Sequence, residues 1–267
     1  MILHLQTVEP RKGPVWIRHG FKVFRRRPLA MTALYGVFVM AWLLLASLPD
    51  ALAWLAPALA PLASLGFMLA THAVLQGQVP NASVYAAPLR LTHERRNAQL
   101  LLCLIYGLLF SAGLLLAQSV GGDALEHLRA VYVQEPRDEQ AVMMAMSDPR
   151  LFWRSVISLG TAALLSVPFW HAPALVHWAG QGVGQALFSS TLALWRNRWA
   201  FARYALAFVG FGLAFFVLLT LVAGLLGEAI AGVLAVLAFC WLQIVFNASL
   251  YFSFVDCFMF SPEELKI

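Results

Sequence analysis

Charge is what this sequence has least of. Only 12% of its 267 residues are Asp, Glu, Lys or Arg, about half the share in an ordinary soluble domain (roughly 25%). So little charge excludes a solvated surface over most of the chain. Cysteine is scarce as well. Cys103, Cys240 and Cys257 each fall inside or at the end of an apolar run, which argues against a disulfide framework and leaves them as small packing residues. Catalytic signatures are missing: there is no Gly-x-Ser-x-Gly elbow and no phosphate-cradling glycine loop. Paired carboxylates occur only around Glu135-Pro136-Arg137-Asp138-Glu139, which reads as a solvated stretch. The net charge of +5 is not accompanied by any base-reading module, so nucleic acid is not an expected partner. No catalytic residue, cofactor site or metal site is expected, and the chain does not read as an enzyme.

What fills the chain instead is apolar. Hydrophobic residues make up 61% of it, and its mean hydropathy is +0.76. A soluble core of this size could not hide so much apolar surface, whereas in lipid the surface itself must be apolar. Runs of about 20 apolar residues predict an all-α integral membrane protein, a single polytopic domain with six transmembrane helices. They cover about residues 29–48, 52–75, 98–118, 151–179, 201–226 and 230–258. Pro49-Asp50 and Gly227-Glu228 read as tight turns. Residues 119–150 read as an outer, periplasmic loop with short helices near 123–132 and 139–146. About 28 residues precede the first apolar run, too many for a signal peptide, so that run is expected to stay as a span.

Positive charge orients such proteins. Of the 18 Lys and Arg residues, 14 lie in the N-terminus, residues 76–97, residues 180–203 or the C-terminal tail. That distribution predicts a multi-pass protein of the bacterial inner membrane with both termini in the cytoplasm.

The segment 14–27 is expected to form an interfacial helix. On a helical wheel Trp16, Ile17, Phe21, Val23 and Phe24 fall on one side, and Arg18, His19, Lys22, Arg25 and Arg26 on the other. Such a helix lies in the headgroup plane, with Arg18, Lys22, Arg25, Arg26 and Arg27 contacting anionic lipid headgroups. Pro28 then redirects the chain. Basic lead-ins recur at Leu89 to Asn97 and Leu192 to Trp199. His72 with Gln76-Gly77 is echoed by His177 with Gln181-Gly182, 105 residues later. The chain therefore reads as three repeated units, each a basic amphipathic interfacial segment followed by a helical pair.

Five intramembrane polar residues are the candidates for a site: His171, His177, Gln243, Asn247 and Asp256. His171 stands between Pro168 and Pro173, where proline leaves backbone carbonyls unpaired. His171 and His177 are six residues apart, about 240° around a regular helix, so they cannot hold one metal together. Gln243 and Asn247 share a helix face at i, i+4. Asp256 is an acid late in an apolar span and needs a partner, for which Arg95 or Arg198 is available on the same side. Met143, Met144 and Met146 in the outer loop read as packing residues.

Several stretches carry a resemblance. They are Gly20-x3-Phe24 to Pro28, Phe169-Trp170-His171-Ala172-Pro173-Ala174-Leu175-Val176-His177-Trp178, Trp195-Arg196-Asn197, and Ser249-Leu250-Tyr251-Phe252-Ser253-Phe254. Through them the chain is similar, over nearly its whole length, to uncharacterised six-span bacterial inner-membrane proteins. The resemblance implies a fold and a compartment and no activity. Related families often carry a basic residue just before the acid that follows the tyrosine motif. Here Val255 stands there, which puts a charge pair local to Asp256 in doubt. The expected role is structural, envelope-maintaining or regulatory, with lipids and an unidentified protein or second copy as partners. The alternative is a small transporter or channel with a path past His171 and the Gln243/Asn247 face.

Overall fold

The computed structural model describes residues 4–49, 52, 54–134 and 138–259. Asp50 of the first turn, residues 135–137 of the outer loop and the tail from residue 260 lie outside them. Among the described residues six helical stretches are long and apolar enough to cross a membrane. The chain is an all-α membrane protein.

A two-residue strand β1 (His4–Leu5) leads to α1 (Lys12–Arg26), which carries no acid. Arg27 leaves helical geometry at φ −143° and ψ 61°, because a residue before proline is pushed out of the α region. Pro28 then starts α2 (Pro28–Ala46) at the one helical position where a missing N–H costs nothing. The return span is α3 (Leu55–Ala58) continued by α4 (Ala60–Leu75). A short helix α5 (Ser83–Ala86) and a 3-10 turn (Ala87–Arg90) precede α6 (His93–Gly121). Across the far end run α7 (Ala124–Val133) and α8 (Glu139–Met146). Asp138 caps α8, its carboxylate accepting the N–H groups of Gln140 and Ala141 at 2.9 and 3.2 Å. Asp148 does the same for Arg150 at 2.8 Å ahead of α9 (Pro149–Phe169), satisfying donors that a helix start otherwise leaves open. The fourth span continues as α10 (Ala172–Ala179). α11 (Val183–Arg196) then leads to the long hairpin of α12 (Arg198–Leu226) and α13 (Glu228–Cys257). Gly227, at φ +90°, makes that turn in a region of backbone space that glycine enters without steric cost. β2 (Phe258–Met259) pairs antiparallel with β1. Both ends of the described chain therefore sit on one face, here the terminal face.

The core lies toward that face. α1 packs on the last turns of α13 and the first turns of α12, burying Trp16, Ile17 and Val23 to 6% exposure or less. Gly20 is the crossing point: a Cβ there would stand 2.7 Å from the Val245 carbonyl oxygen. Most of the apolar side of α1 is thus spent on protein, with Phe21 left half-buried. Leu65, Met68, Leu102, Leu175, Phe254 and Cys257 close one apolar cluster with Trp16 and Ile17, and Val23 joins a second with Met31, Leu34, Phe67 and Ile244. The far halves of α12 and α13 are bare by contrast, with Leu213, Phe216, Leu221, Leu225, Val233 and Val236 all exposed, as a lipid-facing surface requires.

Candidate functional site

The fourth span breaks at Trp170-His171, two residues beyond Pro168 rather than at it. An unbroken helix would bond the His171 N–H to the Val167 carbonyl. Instead the Ser190 hydroxyl of α11 stands between them. Its oxygen accepts from the His171 N–H at 3.0 Å, and its hydrogen goes to the Val167 carbonyl at 3.1 Å. A side chain inserted into the helical ladder is a recognised cause of a kink. From α6, the Gln99 amide donates to the Pro173 carbonyl at 2.7 Å and Arg95 donates to the His177 carbonyl at 3.2 Å. The break is pinned from several helices, while the Gln99 amide oxygen is buried with no polar partner among the described residues.

His171 itself is wholly buried. Its Nε2 meets Ser253 Oγ at 3.1 Å. Ser253 gives its own hydrogen to the Leu250 carbonyl at 2.8 Å, so it accepts from His171 and also from Trp170 Nε1, at 3.2 Å. That assigns the proton of a neutral His171 to Nε2. Nδ1 has no polar partner among the described residues, and the rings of Phe201, Phe254 and Phe258 stand 5.5 to 5.9 Å away. Among the described residues no second titratable group bonds the ring, so the arrangement links helices. His177 lies apart, its ring edge-on to Trp178 at 5.4 Å and its Nδ1 likewise without a partner.

Gln243 and Asn247 do line one cavity, of about 410 Å³, with Phe38, Tyr106, Ser166 and Trp170 among its other walls. His171 is not among them. The Asn247 amide turns back to the carbonyl of Gln243 at 2.8 Å. The structure brings Gln243 and Asn247 together and leaves both histidines elsewhere.

Asp256 finds its partner on α1. It accepts the Trp16 indole N–H at 2.8 Å and lies 3.8 Å from the Lys12 ammonium. The expected arginines are otherwise engaged: Arg95 as described, and Arg198 over the rings of Trp195 and Trp199. The correction is physical. A helix docked along α13 reaches Asp256 before any other lead-in can.

Arg18, Lys22, Arg25, Arg26 and Arg27 are all exposed. Arg25 also lies over the Phe21 ring at 5.7 Å, and Arg27 reaches the Gly77 carbonyl at 3.3 Å. His19 lies between this basic surface and the protein, its ring 4.9 Å from that of Phe252. Burial first, and then the Lys22 charge, hold its pKa below the usual value of 6.5, against the opposing pull of Asp256.

Three structural roles escape sequence reasoning. Ser190 looks like any helix serine. Asn197 belongs to a motif whose purpose appears only in three dimensions: it accepts from the Val8 N–H at 2.7 Å and donates to the Gln6 carbonyl at 3.0 Å, clamping the N-terminal segment. Tyr251 bonds His72 Nδ1 at 2.9 Å while Gln76 bonds Nε2 at 3.0 Å. The i, i+4 spacing of His72 and Gln76 was the one available signal. Among the described residues no three metal-ligating side chains converge.

No family model matches the chain, and no solved structure does. A protein of Burkholderia thailandensis described as a probable inner membrane protein is 30% identical over 252 residues, 94% of this chain and 91% of that protein. Similarity of that extent, together with six apolar spans, makes this chain a member of the family of that Burkholderia inner-membrane protein.

Proposed function

We propose that the protein is a non-enzymatic, structural or regulatory component of the inner membrane that works through helix packing and lipid contact, with both termini in the cytoplasm. One observation carries this reading. The buried polar groups around the helix break bond one helix to another, while the cations of α1 turn outward. The orientation is supported by the bias of Lys and Arg toward the segments read as cytoplasmic, which hold 14 of the 18 in the sequence. α1, the 83–90 segment and α11 each precede a span, which supports the reading of three units introduced by interfacial segments.

The alternative, a small transporter or channel, has the Gln243/Asn247 cavity in its favour. His171 lies outside that cavity and, among the described residues, its ring bonds only Ser253, so the two halves of a path do not meet. Flux into proteoliposomes tests the choice. Under an imposed pH gradient, the purified protein is expected to pass protons no faster than protein-free vesicles. A flux above that background, abolished by His171→Ala or Asn247→Ala, would sink the structural reading.

A further inference from the structure

Between α1, α12 and α13 lies an open apolar groove of about 370 Å³. Ile17 and Phe21 form its α1 side, Phe208 and Phe211 its α12 side, and Trp241 and Leu242 its α13 side. Phe211 is half exposed. One charged side chain, Arg18, lines it. Phe208 and Phe211 stand well inside α12, which begins at Arg198. At 1.5 Å per residue the groove therefore reaches about 15–20 Å along that helix from its polar end. Its mouth carries charge and its depth does not. Lys22 and Arg25 follow Arg18 at i+4 and i+7, so the three share one stripe, and no acid occurs in α1 to neutralise them.

We propose that this groove holds one anionic glycerophospholipid, an acyl chain lying against Phe208, Phe211 and Trp241 and the phosphate bound by Arg18 with the neighbouring stripe. The physical reason is complementarity along a single axis. An acyl chain meets apolar side chains in the groove, and the headgroup then comes to Arg18, the one cation among its described lining residues. Guanidinium suits a phosphate because its planar fork donates two parallel hydrogen bonds. A zwitterionic lipid fits the groove but gains less, since its own cation opposes the stripe. This site rests on the proposed lipid-contact role and narrows it to one place and one class of lipid.

The test uses full-length protein purified in mild detergent, stripped of lipid, and offered phosphatidylglycerol or phosphatidylcholine at equal concentration, with bound lipid counted by native mass spectrometry. The wild type is expected to retain one phosphatidylglycerol in preference to phosphatidylcholine. Arg18→Gln is expected to weaken retention about fivefold, the worth of one near-surface cation. Leu242→Trp, which fills the groove from outside the core cluster, should abolish it at an unchanged melting temperature. Arg129→Gln, an exposed arginine of α7 away from the groove, should leave it unaltered. Equal retention by wild type, Arg18→Gln and Leu242→Trp would overturn the site while leaving a diffuse lipid contact standing. Equal retention of both lipids by the wild type would overturn the anionic preference and the site with it. No anionic lipid on the wild type would overturn both the site and the wider lipid-contact role.

Discussion

Ser190 occupies the place that the broken helix leaves between its own Val167 carbonyl and His171 N–H, at 3.1 and 3.0 Å. One hydroxyl thus replaces a backbone hydrogen bond, donating to one half of the lost pair and accepting from the other. Because Ser190 belongs to α11, it is a second helix that satisfies the backbone of a span already weakened by Pro168 and Pro173.

Removing that hydroxyl should therefore be costly. Ser190→Ala orphans a buried N–H and a part-buried carbonyl, and the expected loss is about 1–3 kcal/mol in thermal unfolding in mild detergent. Thr191→Ala next to it removes an exposed hydroxyl that bonds only its own helix, to Leu187 at 2.8 Å. That change should stay within about 0.5 kcal/mol. Equal effects from the two would show that the bridge contributes nothing.

The Trp16–Asp256 bond predicts a specific coupling. Trp16→Phe and Asp256→Ala should each destabilise, and the double variant should lose less than their sum by about 0.5–3 kcal/mol. Arg198→Gln combined with Asp256→Ala should be additive, since Arg198 lies on Trp195 and Trp199. Additivity in the first pair would contradict the geometry.

His19 sets an acid limb. Its folded pKa lies below 6.5, burial being the first cause, so the folded protein takes up the proton less readily than the unfolded chain. The contribution to stability is fully present above the unfolded value, near 6.5, and is lost as pH falls through it toward the folded value. His19→Asn is expected to flatten the melting temperature between about pH 7 and pH 5. An unchanged slope would remove His19 as the cause.

Asn197 should hold the N-terminal segment. Asn197→Ala orphans the Val8 N–H and frees β1 from its clamp. Limited proteolysis is expected to cut before α1 faster than in the wild type, with the bundle left intact. An unaltered cleavage rate would mean that β1–β2 pairing suffices alone.

Orientation is checked by labelling. In a variant lacking the native cysteines, a cysteine introduced at Gln140 is expected to react with an impermeant reagent from the periplasmic side of intact cells. One introduced at Lys22 should react only after permeabilisation. The reverse pattern would invert the topology.

The six spans were legible because lipid offers a backbone no hydrogen-bond partners. A crossing segment must be helical and apolar over its length, and that demand is written locally. The basic face of residues 18, 22, 25, 26 and 27 was legible for the same local reason, a helical period. The break near His171 was half legible. Proline marks where a helix weakens, but α9 continues through Pro168 and parts only at Trp170-His171, where Ser190 arrives from another helix.

Pairings across the chain were not written anywhere in it. Asp256 and Trp16 are 240 residues apart, and nothing in either neighbourhood names the other. Trp16 read as part of an apolar face, and so it is, but its indole N–H needs an acceptor once buried. Composition and periodicity therefore determined the solvent, the number of spans and the cationic surface, since each depends on short-range patterns. Only tertiary packing decided which polar groups meet. A hydrogen bond between helices depends on register and rotation, and those are settled by close contacts such as Gly20 against Val245.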